Sequence, residues 1–263
     1  MGSSKERIAF TARDRRILEY VYRFRLLSRD QVMALAPFQS LTRANTRLSA
    51  LTREGILRRK MLPVFPGHGS AQSLYFLGKA SRPFLKIDRL SITQVIRQVS
   101  RWDLRQVEHV RTANHALLSL LVGLRAVNAS AISFRTEPEL RKRLHDRALV
   151  PDGWVEWTFE AKRFNCFLEV DLHHEGLQVW REKVLAYIAY AESGLHQEYF
   201  GYHSFRVLVL AGSGRRLGNL RQVASAAGPV FLLAEISQVT AESALGPIWQ
   251  AATGNGQVAL MKA

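Results

Sequence analysis

Between Ala148 and Asp171 the sequence carries two strand patterns almost back to back, with acidic residues where the strands would meet. Asp152 sits between the apolar run Ala148-Leu149-Val150 and the alternating stretch Trp154-Val155-Glu156-Trp157-Thr158-Phe159. Glu169 and Asp171 close a second stretch, Phe164-Asn165-Cys166-Phe167-Leu168, and Lys183 falls on the helix expected next. Carboxylates delivered from adjacent strands, with an amine nearby, suit a magnesium or manganese site that cleaves phosphodiesters. Hard cations take oxygen ligands, and two carboxylates plus a substrate phosphate can hold one. Asp152, Glu169 and Asp171 are therefore the candidate metal ligands, and with Lys183 the candidate catalytic set.

The charge balance adds a polyanion to the argument. The chain of 263 residues has a formal net charge of +15. Residues 1–110 hold 21 Lys and Arg against 8 Asp and Glu, and residues 111–263 hold 16 against 14. A field concentrated in this way attracts nucleic acid first and an acidic membrane surface second. Cys166 is the single cysteine, which excludes a disulfide framework and fits a reducing cytoplasm. The first residues contain no apolar run of signal-peptide length, and no stretch approaches a membrane span. The expectation is a cytoplasmic protein with no membrane partner.

Residues 1–80 form the first expected domain. Thr11 caps a helix whose apolar members are Ile17, Leu18, Val21, Tyr22 and Phe24. Ser28 and Gln31 stand at capping-box spacing at the start of a second helix, which Pro37 ends. A third runs from Ser40 to Glu54, with Leu41, Ala44, Leu48 and Leu51 inward and Arg43, Asn45, Thr46 and Arg47 outward. After Gly55 come the strand 56–62, a turn at Pro66-Gly67-His68-Gly69-Ser70, and the strand 73–77. Three helices and a hairpin make a winged helix-turn-helix. Its third helix would enter the major groove of double-stranded DNA, where Arg43, Asn45, Thr46 and Arg47 would read bases or phosphates. Arg58, Arg59 and Lys60 on the wing would hold phosphates; an ordinary solvated strand edge is the other reading of that cluster.

Residues 81–110 read as a helical connector, either one long helix or a dimerisation element, with Trp102 as a packing residue. Residues 111–263 read as the second domain. An apolar helix spans 114–127, followed by strands at 131–136, 153–160 and 163–171, a helix near 176–192, a strand at 205–211, a helix near 216–226 and a strand at 230–236. The fold class is thus α/β (α+β), with α-β-β-β-α-β as the order of the second domain's core.

That order, with Pro151-Asp152 and Glu169 on consecutive strands, resembles the PD-(D/E)xK nuclease-like superfamily. The resemblance implies that Asp152 and Glu169 bind magnesium. The family's lysine, two residues past the glutamate, is replaced by Asp171, while Lys183 lies on the following helix, where some members carry theirs. Glu137 is an accessory acidic candidate. Over nearly the full length the chain is similar to the replication-relaxation family of plasmid and mobile-element proteins. The residues that carry this are Thr11-Ala-Arg-Asp-Arg-Arg-Ile-Leu18, His115, Thr136-Glu-Pro-Glu-Leu140, Val150-Pro-Asp-Gly153, Phe167-Leu-Glu-Val-Asp171, Lys183 with Tyr187, Val207-Leu-Val-Leu210 and Pro247-Ile-Trp249. The resemblance implies a DNA-binding protein acting in replication, mobilisation or relaxation of plasmid DNA, with other replication or mobilisation proteins as partners. A magnesium-dependent endonuclease and a dimeric transcriptional repressor are the alternatives.

Several residues carry a plainer reading beside the functional one. Asp152 suits an ordinary turn, and Asp171 suits a helix cap or an ion pair with Lys183. His173 and His174 could join a metal site only if the backbone turns there. His115 suits a satisfied core histidine, and Gly212-Ser213-Gly214-Arg215-Arg216 an ordinary strand-to-helix turn rather than a phosphate loop.

Overall fold

The computed structural model describes residues 8–62, 72–144, 149–172 and 176–261. Two compact units divide the chain, Met1–Arg111 and Thr112–Ala263. Among the described residues no helix is long and apolar enough to cross a membrane.

The first unit runs α1 (Ala12–Phe24), β1 (Leu27–Ser28), α2 (Arg29–Leu35), α3 (Leu41–Arg53), β2 (Leu57–Met61) and β3 (Ser73–Leu77). The expected caps are present: Thr11 and Asp14 close a capping box on α1, and Ser28 and Gln31 close one on α2. Ser40 caps α3 by accepting the Arg43 N–H. Ile17, Leu18 and Val21 of α1, Val32 of α2, and Ala44, Leu48 and Leu51 of α3 are buried. The strands form a sheet in the order β1-β3-β2, all antiparallel. The turn joining β2 to β3 lies outside the described residues. At the other end of that hairpin Gly55 takes a φ of +68°, and a Cβ on Gly78 would lie 2.0 Å from the Gly55 carbonyl oxygen. Only glycine allows so close an approach.

One ion pair ties α1 to α3. Arg47 donates from Nε to Asp14 Oδ1 at 2.7 Å and from Nη2 to Asp14 Oδ2 and the Ala9 carbonyl. Asp14 is fully buried. Burial alone would raise its pKa, but the hydrogen bonds from Arg47 and Thr11 outweigh that and hold it below the usual carboxylate range.

The segment expected as a connector is split. α4 (Arg89–Arg101) packs Val95 and Val99 with Leu26, Leu74 and Phe76, and Trp102 lies against this cluster. A new helix, α5 (Leu104–Ala126), begins beyond Trp102 and adds Val107 to it. The 81–110 stretch is thus not one long helix, and α4 is packed into the first unit's core.

In the second unit β4 (Ser130–Thr136), α6 (Glu137–Arg143), β5 (Gly153–Phe159), β6 (Lys162–Asp171), α7 (Leu177–Glu192), α8 (Leu195–Phe200), β7 (Arg206–Ala211), α9 (Gly214–Ala224) and β8 (Phe231–Glu235) follow α5. Two short strands, β9 (Trp249–Ala251) and β10 (Gln257–Val258), complete a sheet ordered β10-β9-β8-β7-β6-β5-β4. The pairs β4–β5 and β5–β6 are antiparallel, whereas β6–β7 and β7–β8 are parallel. The expected α-β-β-β-α-β order is present, with α6 and α8 as short additions. Side chains alternate across the sheet. Trp154, Phe167, Val207, Val209, Phe231 and Leu233 meet Trp180, Val184 and Tyr187 of α7 and Leu217 and Leu220 of α9 in one core. Val155, Cys166, Leu168, Val170, Leu208 and Leu210 are buried on the opposite face. Edge strand β4 loses its register with β5 between Ser130 and Ser133, and β10 at the far edge is two residues long.

Arg47→Ala leaves the carboxylate of Asp14 buried without its cation. The expected cost is about 3 kcal/mol of stability, the order found when one partner of a buried pair is removed. Urea unfolding of the variant beside the parent measures it, and an unchanged midpoint would contradict the assignment.

Candidate functional site

The antiparallel register of β5 and β6 builds the acidic site. Gly153 stands opposite Leu168, so Asp152 reaches β6 beside Glu169. The Asp152 N–H donates to the Leu168 carbonyl at 2.9 Å, and the Val170 N–H donates to Asp152 Oδ2 at 2.8 Å. Glu169 and Asp171, two residues apart, share the sheet face that carries Phe167. That face is covered by α7, where Lys183 and Tyr187 lie one helical turn apart.

Glu169 is 2% exposed. It accepts from Lys183 Nζ at 3.1 Å through Oε2 and from the Tyr187 hydroxyl at 2.7 Å through Oε1. Burial pushes its pKa up to about 7; the Lys183 ammonium opposes the rise and the negative charge of Asp152 adds to it. Burial raises the Tyr187 hydroxyl well above its ordinary range, and the adjacent Glu169 raises it further.

Asp171 is also buried, and Arg216 on the first turn of α9 grips it. Nε donates to Oδ1 at 2.9 Å and Nη2 to Oδ2 at 2.7 Å, the two-pronged geometry of an arginine–carboxylate pair. Ser213 caps α9, and the Gly212 N–H donates to the Asp171 carbonyl. The segment 212–216 is a strand-to-helix turn whose second arginine, Arg216, is engaged by Asp171.

Of the expected ligand set Asp152, Glu169 and Asp171, the last is engaged by Arg216 through both of its oxygens. Among the described residues no group of three or more His, Cys, Asp or Glu side chains stands ready to hold a metal. Asp152 and Glu169 remain an acidic pair with Lys183 as the adjacent cation. Two carboxylates still suit magnesium when phosphate oxygens complete its shell, so this donor set fits that ion. Glu137 sits at the start of α6 and pairs with Arg141 one turn on. His115 is exposed and its Nε2 lies 3.0 Å from the Val239 carbonyl. His173 and His174 lie outside the described residues.

The basic set in the first unit also divides. Arg43, Asn45 and Thr46 are exposed on α3, as expected. Arg47 is not an outward reader, because its guanidinium is committed to Asp14. On β2, Arg58 donates to Ser100 Oγ at 3.0 Å and Lys60 to the Trp102 carbonyl at 2.8 Å, so both join the strand to the end of α4. Burial lowers the Lys60 pKa, and the nearby Arg58 charge lowers it further. Arg59, on the opposite face of the strand, is exposed. The wing cluster thus keeps both Arg58 and Arg59 exposed, although Arg58 is also hydrogen-bonded to Ser100, while the half-buried Lys60 serves the fold. Arg216 carried no functional expectation, and its 45-residue separation from Asp171 gave no local signal. Tyr187 did have one: its spacing of four from Lys183 puts both on one helix face.

The replication-relaxation family model matches residues 18–204. The chain belongs to the replication-relaxation family. The matched segment holds Asp152, Glu169, Asp171 and Lys183 but stops short of Arg216. Among solved structures, the restriction endonuclease FokI overlaps the chain with a TM-score of 0.32 at 11% identity. FokI bound to DNA gives 0.30 at 12%. Each overlap covers 86% of this chain, which spans less than half of FokI, 42% and 43% respectively. No curated protein matches the chain.

The raised pKa of Glu169 has a measurable signature. The folded state holds that proton more tightly than the unfolded chain, whose glutamate titrates near 4.5. Its contribution to stability is full below about pH 4.5 and is lost as pH rises through about 7. Glu169→Gln removes the titration. The variant should gain in stability relative to the parent between those limits and hold a constant difference above them, as read by melting temperature across pH. A difference that does not change with pH would count against a protonated, buried Glu169.

Proposed function

We propose that this protein binds double-stranded DNA of a plasmid or mobile element and acts in its replication, mobilisation or relaxation. The observation that carries the reading is the outer face of α3, where Thr42, Arg43, Asn45, Thr46 and Arg53 are all exposed. The helix contains no acidic residue from Leu41 to Arg53. Supporting it is the element order of the first unit, which suits a winged helix-turn-helix with α3 in the major groove. The charge excess of residues 1–110 supplies the long-range attraction to phosphate. Family membership supports the biological setting.

Arg43→Ala is expected to weaken duplex binding by an amount that shrinks as salt rises, because the lost contact is to phosphate. Gel shifts over a salt series measure this. Identical affinities at low salt would remove α3 from the interface.

The Asp152–Glu169 pair beside Lys183 favours a second reading, a magnesium-dependent endonuclease. Asp152 and Glu169 would hold the cation, which when bound would polarise a phosphodiester and lower the pKa of a water. Lys183, held 3.1 Å from Glu169, could follow negative charge developing on the phosphate. Tyr187 fixes the second oxygen of Glu169 and keeps that side chain in one orientation. On this reading the protein nicks supercoiled plasmid in Mg²⁺ or Mn²⁺, and Asp152→Asn abolishes nicking. The asparagine keeps an oxygen for the Val170 N–H, so loss of activity would not reflect loss of that contact. Supercoil that survives a large excess of the parent protein would discard the nuclease reading and leave the DNA-binding one intact.

A further inference from the structure

We infer that α3 reads adenine–thymine base pairs at the centre of its site and leaves guanine unread; this deepens the DNA-binding reading and rests on it. Ala44, Leu48 and Leu51 face the core. The helical repeat therefore turns Thr42, Asn45, Thr46 and Ser49 outward together, and all four are exposed. Guanine presents two acceptors to the major groove, N7 and O6, and its usual reader is an arginine or lysine that donates to both. Arg47 lies toward the core side of α3, three residues past buried Ala44 and four before buried Leu51, and Asp14 and the Ala9 carbonyl hold its guanidinium against α1. The other arginines of α3 are peripheral. Arg43 lies on the flank of the outward face, and Arg53 ends the helix beside Glu54, 3.9 Å away. Both positions suit phosphate.

What occupies the centre is an amide and three hydroxyls. Asparagine offers one acceptor and one donor side by side, which matches N6–H and N7 of adenine. Arg29 Nη1 reaches Asn45 Oδ1 only at 3.5 Å, the outer limit of a hydrogen bond, so the amide stays available to a base. The methyl groups of Thr42 and Thr46 suit the C5-methyl of thymine. Leu41, 49% exposed at the first turn, adds a further apolar surface of the same kind. Thr42, Asn45, Thr46 and Ser49 are the specificity determinants on this account, two of them beyond the arginine-centred set that composition suggests.

The test is selection from a duplex library with a randomised core, using the full chain, followed by affinity measurements on the recovered sequence. The expected motif is centred on consecutive A·T pairs, and replacing one with G·C lowers affinity about tenfold or more. Asn45→Asp, an exposed substitution, cannot donate to N7 and is expected to erase the adenine preference. Arg43→Ala is expected to weaken every sequence alike and leave the motif unchanged. A motif anchored on guanine, or equal binding of A·T and G·C cores, overturns the inference while duplex binding itself stands. Failure to bind any duplex at low salt overturns both.

Discussion

The register of β5 against β6 is the constraint from which the second unit's chemistry follows. With Gly153 opposite Leu168, the aspartate just before β5 is carried to the side of Glu169. Its carboxylate then anchors the β6 backbone at Val170. A shift of one residue would turn Phe167, Glu169 and Asp171 to the other face of the sheet, away from α7 and α9. Such a shift would also drive Cys166, Leu168 and Val170 out of the opposite buried face, so packing on both faces holds the charges where they sit. Each buried carboxylate is then matched by a cation from a different helix, Lys183 from α7 for Glu169 and Arg216 from α9 for Asp171. Matching of this kind is what makes burial of two acids on one strand tolerable.

The first unit applies the same physics to a different end. Asp14 completes a capping box and receives Arg47, so one acid serves both the start of α1 and the seat of α3. Lys60 is likewise half-buried and engaged within the unit, on the Trp102 carbonyl. A high count of basic residues is therefore a poor map of a binding face. The cations that remain at the surface of α3 and β2, such as Arg43, Arg53, Arg58 and Arg59, say more than the total.

The main elements were legible because their signals are local. Caps at Thr11, Ser28 and Ser40 lie within three residues of their partners, the strand of 153–159 shows alternation, and that of 162–171 a short apolar run. Partner choice was not legible. Arg47 lies 33 residues from Asp14 and Arg216 lies 45 from Asp171, so the sequence offered several acids for each arginine and no way to choose. Lys183 had the same ambiguity, and its contact with Glu169 depends on how α7 packs on the sheet. The short elements α6, α8, β9 and β10 carry too few residues for a period to show.

The sheet's margins bear on how copies of the chain could meet. A free strand edge is an invitation to pair with another chain, and proteins commonly blunt it with irregular backbone or brevity. Here β4 carries its irregularity at Ser130–Ser133, with Ala131 at a φ of +49°, and β10 offers two residues of ladder. A continuous intermolecular sheet would have to form across a kinked margin or a stub. The regular stretch left on the β4 edge is the short run Ser133–Thr136, and β10 offers less.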